Sequence, residues 1–570
     1  MLKILPVIFV LSFLSVRLNG QLKMTSDYVS PIRTPLSFSG GFGELRRNHF
    51  HTGLDFRTSG QTGIPVYAAK EGSVARISVS ASGYGNALYL VHPDGNTTVY
   101  GHLQRFHPKI EAYVRSQQYS LKQFAVNLTL PAGSIAFKKG DLVAWSGNSG
   151  SSGGPHLHFE VRNTISEKPQ NPISYIPGIL DKSSPRIFSL YLYPLSANSS
   201  VNKSRNKVRL ETIPANHITR LKNQLPAEVY GDIGVGIQTD DDFNGAGFKC
   251  GIYSAELYLD QELVYTVRFD HLAFDQGRYV NSYADYEELA KSKRWIQRLF
   301  LQPGNKMEIS KTNDTRGILK LSDGKTHQVK IIVSDAFNNA TSLSFKLISN
   351  ALKLPDREEE FTRKFYYDKQ NKYETSDLKI VMQEGSLYED LNFLYRNTVK
   401  NGQFVSQIHS IHNQYVPVHL PYSLSIKTLQ VPLDLQSKIL IVMVNNTGNL
   451  SPVGGDYSEG WITARPRAFG DFAVVTDTVP PVIRPVNIRN NNLVNKARID
   501  FKITDNLSGI EIYEGEIDGD WVLFEYDAKT DMLSYTIDKS KLKPGRKHSL
   551  QLRVADQRKN VAVYKTVFYL

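Results

Sequence analysis

His51-Thr-Gly-Leu-Asp55 and Pro155-His156-Leu-His158-Phe-Glu160 are the two stretches on which the reading of this 570-residue chain turns. In a strand, side chains alternate between faces, so His156 and His158 project to one side while Leu157 and Phe159 project to the other, into a core. Two imidazoles then face one site. His51 and Asp55 offer further nitrogen and oxygen donors of the kind zinc accepts at about 2.0–2.2 Å. Three protein ligands plus a water is the arrangement of a catalytic zinc, whereas a structural zinc is closed by four protein ligands, often thiolates. With Cys250 the only cysteine, a thiolate-rich site is excluded. Taken alone, H-x-H and H-x-x-x-D are each weak signals.

The surroundings of these motifs, residues 21–178, are rich in glycine and in short alternating runs. Residues 87–92 and 97–103 flank Asp94-Gly95, a strong hairpin turn signal, which places His102 near a strand end. Strand alternation predicts that Thr98, Tyr100 and His102 share one face. Beyond His102, Pro108 opens a stretch over 109–124 in which Ile110, Tyr113 and Val114 recur at helical spacing, so an amphipathic helix is predicted there.

In this wider context the chain resembles the lysostaphin-like, or LytM-type, peptidoglycan endopeptidases. The likeness runs in order through Gly40-Gly-Phe-Gly43, His51-Thr-Gly-Leu-Asp55, Gly63-Ile-Pro-Val-Tyr-Ala68, Gly72-Ser-Val74, Tyr84-Gly-Asn86, Tyr100-Gly-His102-Leu103, Gly140, Ser146-Gly-Asn-Ser-Gly150 and Gly154-Pro-His156-Leu-His158-Phe-Glu-Val161. It covers about a quarter of the chain. The resemblance implies that His51, Asp55 and His158 hold one Zn2+ per chain, with His102 and His156 beside the metal as general base and transition-state stabiliser; which takes which role stays open. It also implies a small antiparallel β metallopeptidase domain of the duplicated hybrid motif type, with an open groove. The substrate implied is the cross-link peptide of peptidoglycan. One departure stands out: about thirty residues, 104–135, replace a brief connection next to His102. This insert is expected to wall the groove, which favours D-alanyl-diaminopimelate links over glycine bridges.

Composition agrees with an exported enzyme. Residues 1–20 carry Lys3, an apolar run and Arg17-Leu18-Asn19-Gly20, the pattern of a signal peptide, and the run is too short to span a bilayer. Location in the periplasm, the cell envelope or outside the cell is therefore expected, with no transmembrane segment after signal removal. Formal charge is +12, and loss of the two cations Lys3 and Arg17 lowers it to +10. Such a chain suits an anionic wall or headgroup surface, and its scattered lysines and arginines carry no nucleic-acid motif. A single cysteine leaves an exported chain without a disulfide framework. Nothing in the sequence fixes the oligomeric state.

From residue 179 the chain is expected to be β-rich: Ig-like sandwiches over 179–352, with a helix over 283–301, and over 477–570, around a further β unit over 353–476. Pro480-Pro481 and Leu354-Pro355 mark the linkers. An internal echo supports two related domains. It pairs Gly324-Lys-Thr-His327 through Asp335 and Asn339 with Gly545-Arg-Lys-His548 through Asp556 and Asn560. Asp240-Asp-Asp242 reads as a solvated loop rather than a calcium site. His49, His92, His107, His327 and His548 read as packing, strand or surface residues. Gly147 to Gly154 is a tight loop feeding the metal strand, which lets a substrate backbone approach, and not a phosphate loop.

The competing reading is a non-catalytic envelope protein of the same fold that binds peptidoglycan or activates another hydrolase. All five chemical positions are filled here, which favours the enzyme. An adhesin or carbohydrate-binding array is the third class, but residues 179–570 show no recognisable binding site, so they are expected to serve as spacer or wall-docking modules.

Overall fold

The structure is a computed structural model that describes residues 27–215, 217–245, 249–350, 360–398 and 402–570. The expected signal segment and the linker at 354–355 lie outside the described residues. No helix among the described residues is long and apolar enough to cross a membrane. The chain is mostly β.

The N-terminal unit is built on a sheet in which His156–Asn163 is an inner strand. Leu54–Arg57 pairs along one edge of that strand and Asn96–Gly101 along the other, both antiparallel. This register sets the site, because His158 lies directly opposite both Asp55 and Gly101. Leu157 and Phe159 point the other way and are fully buried, against Phe56 and Tyr100. A three-stranded sheet of Pro65–Tyr67, Leu142–Ser146 and Leu103–Phe106 completes the unit.

The predicted helix is present as Pro108–Leu121, started by His107, whose ring accepts from the Lys109 N–H. Ile110 and Val114 sink into the core of the N-terminal unit. Its outer face meets the last domain: Tyr119 packs edge-on against Trp521 at 5.4 Å, and Arg115 pairs with Glu525 at 3.8 Å. The helix is therefore a bracket between domains rather than a wall of the metal cleft, whose lining contains none of its residues. With that correction, the preference for diaminopimelate links loses its basis.

The second unit takes part in building the first. The hairpin Leu45–Arg46 and His49–Phe50, which leads into His51, inserts Phe42, Leu45 and Phe50 into the core of the following sandwich. Phe50 lies 5.7 Å from Phe269 and 6.0 Å from Tyr283. At Gly43 (φ +78°) a Cβ would strike the Phe269 ring at 2.5 Å, so only glycine fits there. This sandwich is thus part of the scaffold of the candidate site.

Instead of one helix over 283–301, two short helices occur, Val280–Tyr283 and Tyr286–Ser292, followed by the strand Gln297–Arg298. Ala284 turns extended and ends the first, Asp285 caps the second by accepting from the Glu288 N–H, and Lys293 closes it in the left-handed region. Periodicity alone missed both the internal cap and the terminator. Two five-stranded sheets, around Leu378–Met382 and Ile439–Val444, pack face to face over one core in the third unit. A four- and a five-stranded sheet do so in the last.

The internal echo is structural. His327 and His548 bond Asp260 and Asp518 at 2.6 and 2.7 Å, and Asn339 and Asn560 each donate a backbone N–H to Asp335 and Asp556 at 2.8 Å. The reading of Asp240-Asp-Asp242 as a solvated loop is corrected: these residues end the strand Ala227–Asp242, and Asp241 is buried.

Candidate metal centre

Three donor atoms converge on one point of the cleft. Asp55 Oδ1 lies 3.0 Å from His51 Nε2 and 2.9 Å from His158 Nδ1, and the two imidazole nitrogens are 3.1 Å apart. Ligands of a tetrahedral ion with bonds of about 2.0–2.1 Å stand roughly 3.3 Å from one another, so this triangle matches one face of a zinc coordination sphere.

The tautomers suit the same role. His51 Nδ1 faces the Gly41 carbonyl at 2.7 Å, which can only accept, so this nitrogen carries the proton and Nε2 presents its lone pair to the centre. His158 Nε2 donates to Glu160 Oε1 at 2.8 Å, which frees Nδ1. Two lone pairs and a carboxylate oxygen thus face one another without a protein donor between them, an arrangement that a cation satisfies. Electrostatics point the same way. Burial works against charge on His158, but its hydrogen bonds to the Asp55 and Glu160 carboxylates outweigh it and raise its pKa to about 9, so that without a metal ion a proton on Nδ1 takes the cation's place. Burial likewise opposes ionisation of Asp55, but His51, His156 and His158 hold its carboxyl well below the usual range. Positive charge is favoured at this point.

His156 and His102 border the centre. His156 Nδ1 donates to the Gly154 carbonyl at 2.8 Å, and its Nε2 lies 3.4 Å from Asp55 Oδ1. His102 Nδ1 donates to the Ser149 carbonyl at 2.8 Å, and its ring centroid is 4.8 Å from that of His156. The glycine-rich loop therefore orients both imidazoles through its carbonyls. Burial first, then His158 and His156, lower His102 to about 3, so it is neutral near pH 7.

Strand alternation placed His102 on the face of Thr98 and Tyr100, and the structure corrects this. Thr98 and Tyr100 are fully buried on the core side, with the Tyr100 hydroxyl accepting from the Thr98 hydroxyl and the Ala69 N–H. His102 sits at φ +57°, between the strands Asn96–Gly101 and Leu103–Phe106, and lines the cleft with His51, His156 and His158. A left-handed backbone costs a non-glycine residue about 1–2 kcal/mol, and here it turns the ring from the core to the site.

The residue types that sequence reasoning quoted without a role stand behind the metal ligands. Glu160 is fully buried, and besides His158 it accepts from Tyr84 and Thr52 hydroxyls, both at 2.6 Å, and from Arg162 Nε at 2.5 Å. Burial opposes its charge, but Arg162 and His158 keep it ionised. The signal was present as period two: His156, His158, Glu160 and Arg162 occupy alternate positions of one strand. Arg46 Nη2 holds Asp55 Oδ2 at 3.2 Å. Gly53 is required because a Cβ there would lie 2.4 Å from the Phe159 carbonyl and 2.9 Å from the His158 ring. Glu160→Gln is expected to weaken zinc binding by about 10–100-fold, as loss of such an orienting carboxylate does. Competition with a fluorescent zinc chelator measures it, and unchanged affinity would remove Glu160 from the site.

The remaining histidines stay out of the centre. His92 is buried between the Glu71 carbonyl and Thr98 Oγ1, His107 caps the helix, and His49 turns to the Arg47 carbonyl.

Residues 49–119 match the model of peptidase family M23, and residues 362–477 match that of a Zu5-like domain. The DD-carboxypeptidase/endopeptidase Mpg of Neisseria meningitidis serogroup B is 33% identical over 124 residues, which cover 22% of this chain and 22% of Mpg. Lysostaphin of Staphylococcus simulans is 28% identical over 145 residues, 25% of this chain and 23% of lysostaphin. The chain thus spans less than a quarter of the length of these two curated relatives. Among solved structures, the catalytic domain of lysostaphin from Staphylococcus simulans, crystallised without phosphate, is 26% identical, covering 24% of this chain and 90% of that one with a TM-score of 0.19.

Proposed function

We propose that this chain, through a domain similar to the lysostaphin-like (LytM-type) peptidases, acts as an exported zinc endopeptidase on the peptide cross-links of bacterial peptidoglycan. The observation that carries the reading is the triangle of His51 Nε2, Asp55 Oδ1 and His158 Nδ1, with two further imidazoles at its rim. His51, Asp55 and His158 would hold the zinc, which when bound would supply Lewis acidity for water activation and carbonyl polarisation.

The chain's own residues do the rest. Gly41 and Glu160 fix the rings of His51 and His158, and Arg46 fixes the carboxylate of Asp55. His102 and His156 both spend Nδ1–H on loop carbonyls, leaving the Nε2 of each ring to face the cleft. One Nε2 takes the proton that water loses on attacking the carbonyl and returns it to the leaving amine; the other, carrying a proton taken up from solvent, donates to the developing oxyanion and keeps that proton through the cycle. Both rings sit on the same rim, so the geometry is compatible with either order.

The test is digestion of purified peptidoglycan, from both diaminopimelate-linked and glycine-bridged walls, by the full chain. Cross-linked dimeric muropeptides should become monomers with new amino termini, in a reaction blocked by a zinc chelator. New reducing sugar ends without new amino termini would indicate a glycan-cutting enzyme, and binding without any cleavage would indicate the non-catalytic role.

A further inference from the structure

Outside the peptidase site, the first and last sandwiches contain the same acidic arrangement. Asp181, Asp241 and Asp335 each bring a carboxylate oxygen within 4.8 Å of the others, and Asp477, Asp505 and Asp556 do likewise. The first three are only 7%, 4% and 3% exposed. Asp181 and Asp477 occupy equivalent places, each four residues before the proline, Pro185 or Pro481, that leads into the first strand of its sandwich. Asp241 and Asp505 stand at the end of a strand, and Asp335 and Asp556 at the turn between the last two strands. Asn339 and Asn560 repeat the bracing: each side-chain amide donates to the carbonyl of the entering aspartate at 3.0 Å and to the turn aspartate at 2.6 or 2.7 Å.

Hydrogen bonds do not satisfy these clusters. Asp181 Oδ1 accepts from the N–H groups of Ser183 and Asn244, while its Oδ2 is buried with no partner. Asp505 Oδ2 accepts from Leu507 and Gly509, while its Oδ1 is again buried and unpartnered, as is the hydroxyl of Ser508 beside it. Among the described residues, no lysine, arginine or histidine nitrogen comes within 4.0 Å of the six carboxylates. Buried carboxylates left without a donor or a cation are costly. Each triad thus keeps one buried carboxylate oxygen without a partner, on the entering aspartate in the first and on the strand-end aspartate in the second, which argues for a ligand common to both. Asp181, Asp241 and Asp335 also line a cavity of about 30 Å³, room for one ion. Burial, then the neighbouring Asp335 and Asp181, push the Asp241 carboxyl up to about 8, which a cation would reverse.

We propose that each triad binds one hard divalent cation of the calcium type, tying the segment that enters the sandwich to the strand end and the terminal turn. Only oxygen donors converge, which disfavours zinc. Their spacing does not exceed the span of two calcium–oxygen bonds of about 2.3–2.6 Å, and flexible oxygen coordination suits calcium better than magnesium. Asp181 leads out of the peptidase domain and Asp477 out of the third unit, so each ion would fix a domain junction.

The full chain, zinc-loaded and freed of calcium, is titrated with calcium chloride by calorimetry, and its thermal midpoint is followed in parallel. About two calcium ions per chain are expected, with the midpoint rising as they bind. Asp241→Asn and Asp505→Asn should each remove one ion and the double variant both, with circular dichroism and zinc content unchanged; Asp181→Asn and Asp477→Asn serve the same purpose if either of the first pair fails to fold. A chain that binds no calcium at millimolar concentration, or a folded double variant that keeps both ions, overturns the proposal. Because zinc content and peptidoglycan cleavage are read separately, failure here is distinct from failure of the peptidase reading.

Discussion

His51→Ala, Asp55→Ala and His158→Ala are each expected to empty the metal centre and abolish cleavage, from about one zinc per chain to almost none. Each supplies one corner of the donor triangle, and no fourth protein donor stands ready to replace it: the nearest, His156 Nε2, is 3.4 Å from Asp55 Oδ1 and is turned by its bond to Gly154. Removing Asp55 leaves Arg46 paired with Glu44, and removing His158 leaves Glu160 bonded to Arg162, Tyr84 and Thr52, so the fold itself should survive both changes. Elemental analysis of the purified chains decides the matter. Full zinc occupancy in all three would rule out this ligand set. Retention in one alone would expel that residue from it.

The second large effect is expected without metal loss. His102→Ala and His156→Ala should keep zinc and lose turnover by about 10²–10⁴-fold, the range of general acid–base groups. Neither ring belongs to the donor triangle, and both hold Nδ1 on a carbonyl of the glycine-rich loop. The two variants should fail mainly in kcat rather than KM, because proton transfer and oxyanion stabilisation act in the transition state. Zinc analysis alongside single-turnover cleavage separates this from ligation. A His102→Ala or His156→Ala chain devoid of metal, beside a His51→Ala chain that retains it, would reverse the assignment.

The position of the last domain gives the insert a different meaning from the one its sequence suggested. Tyr119 rests on Trp521, and Lys529 donates to the carbonyls of Asn148 and Gly150 in the loop that also holds His102. The first sandwich in turn grips the hairpin before His51. Both β-rich units therefore contact segments that orient side chains of the candidate metal centre, a stronger connection than that of a spacer.

By itself the sequence determined the local rules. Alternation along His156-Leu-His158-Phe placed two imidazoles opposite two core side chains, Asp94-Gly95 closed a hairpin, Pro108 began a helix, and the echo through Asp335 and Asp556 marked related sandwiches. These follow from period, turn chemistry and repetition, which act over a few residues or between like segments. Tertiary structure alone decided where those pieces meet. Register across the sheet put Asp55 opposite His158, and a positive φ turned His102 out of the core against its alternation. An internal cap at Asp285 broke one predicted helix into two. Asp241, part of an apparently solvated acidic run, became buried with carboxylates 60 and 94 residues away in sequence, Asp181 and Asp335. Contacts between distant strands and domains are set by how whole sheets pack, and no local pattern of charge or hydrophobicity encodes which buried oxygen will be left facing which.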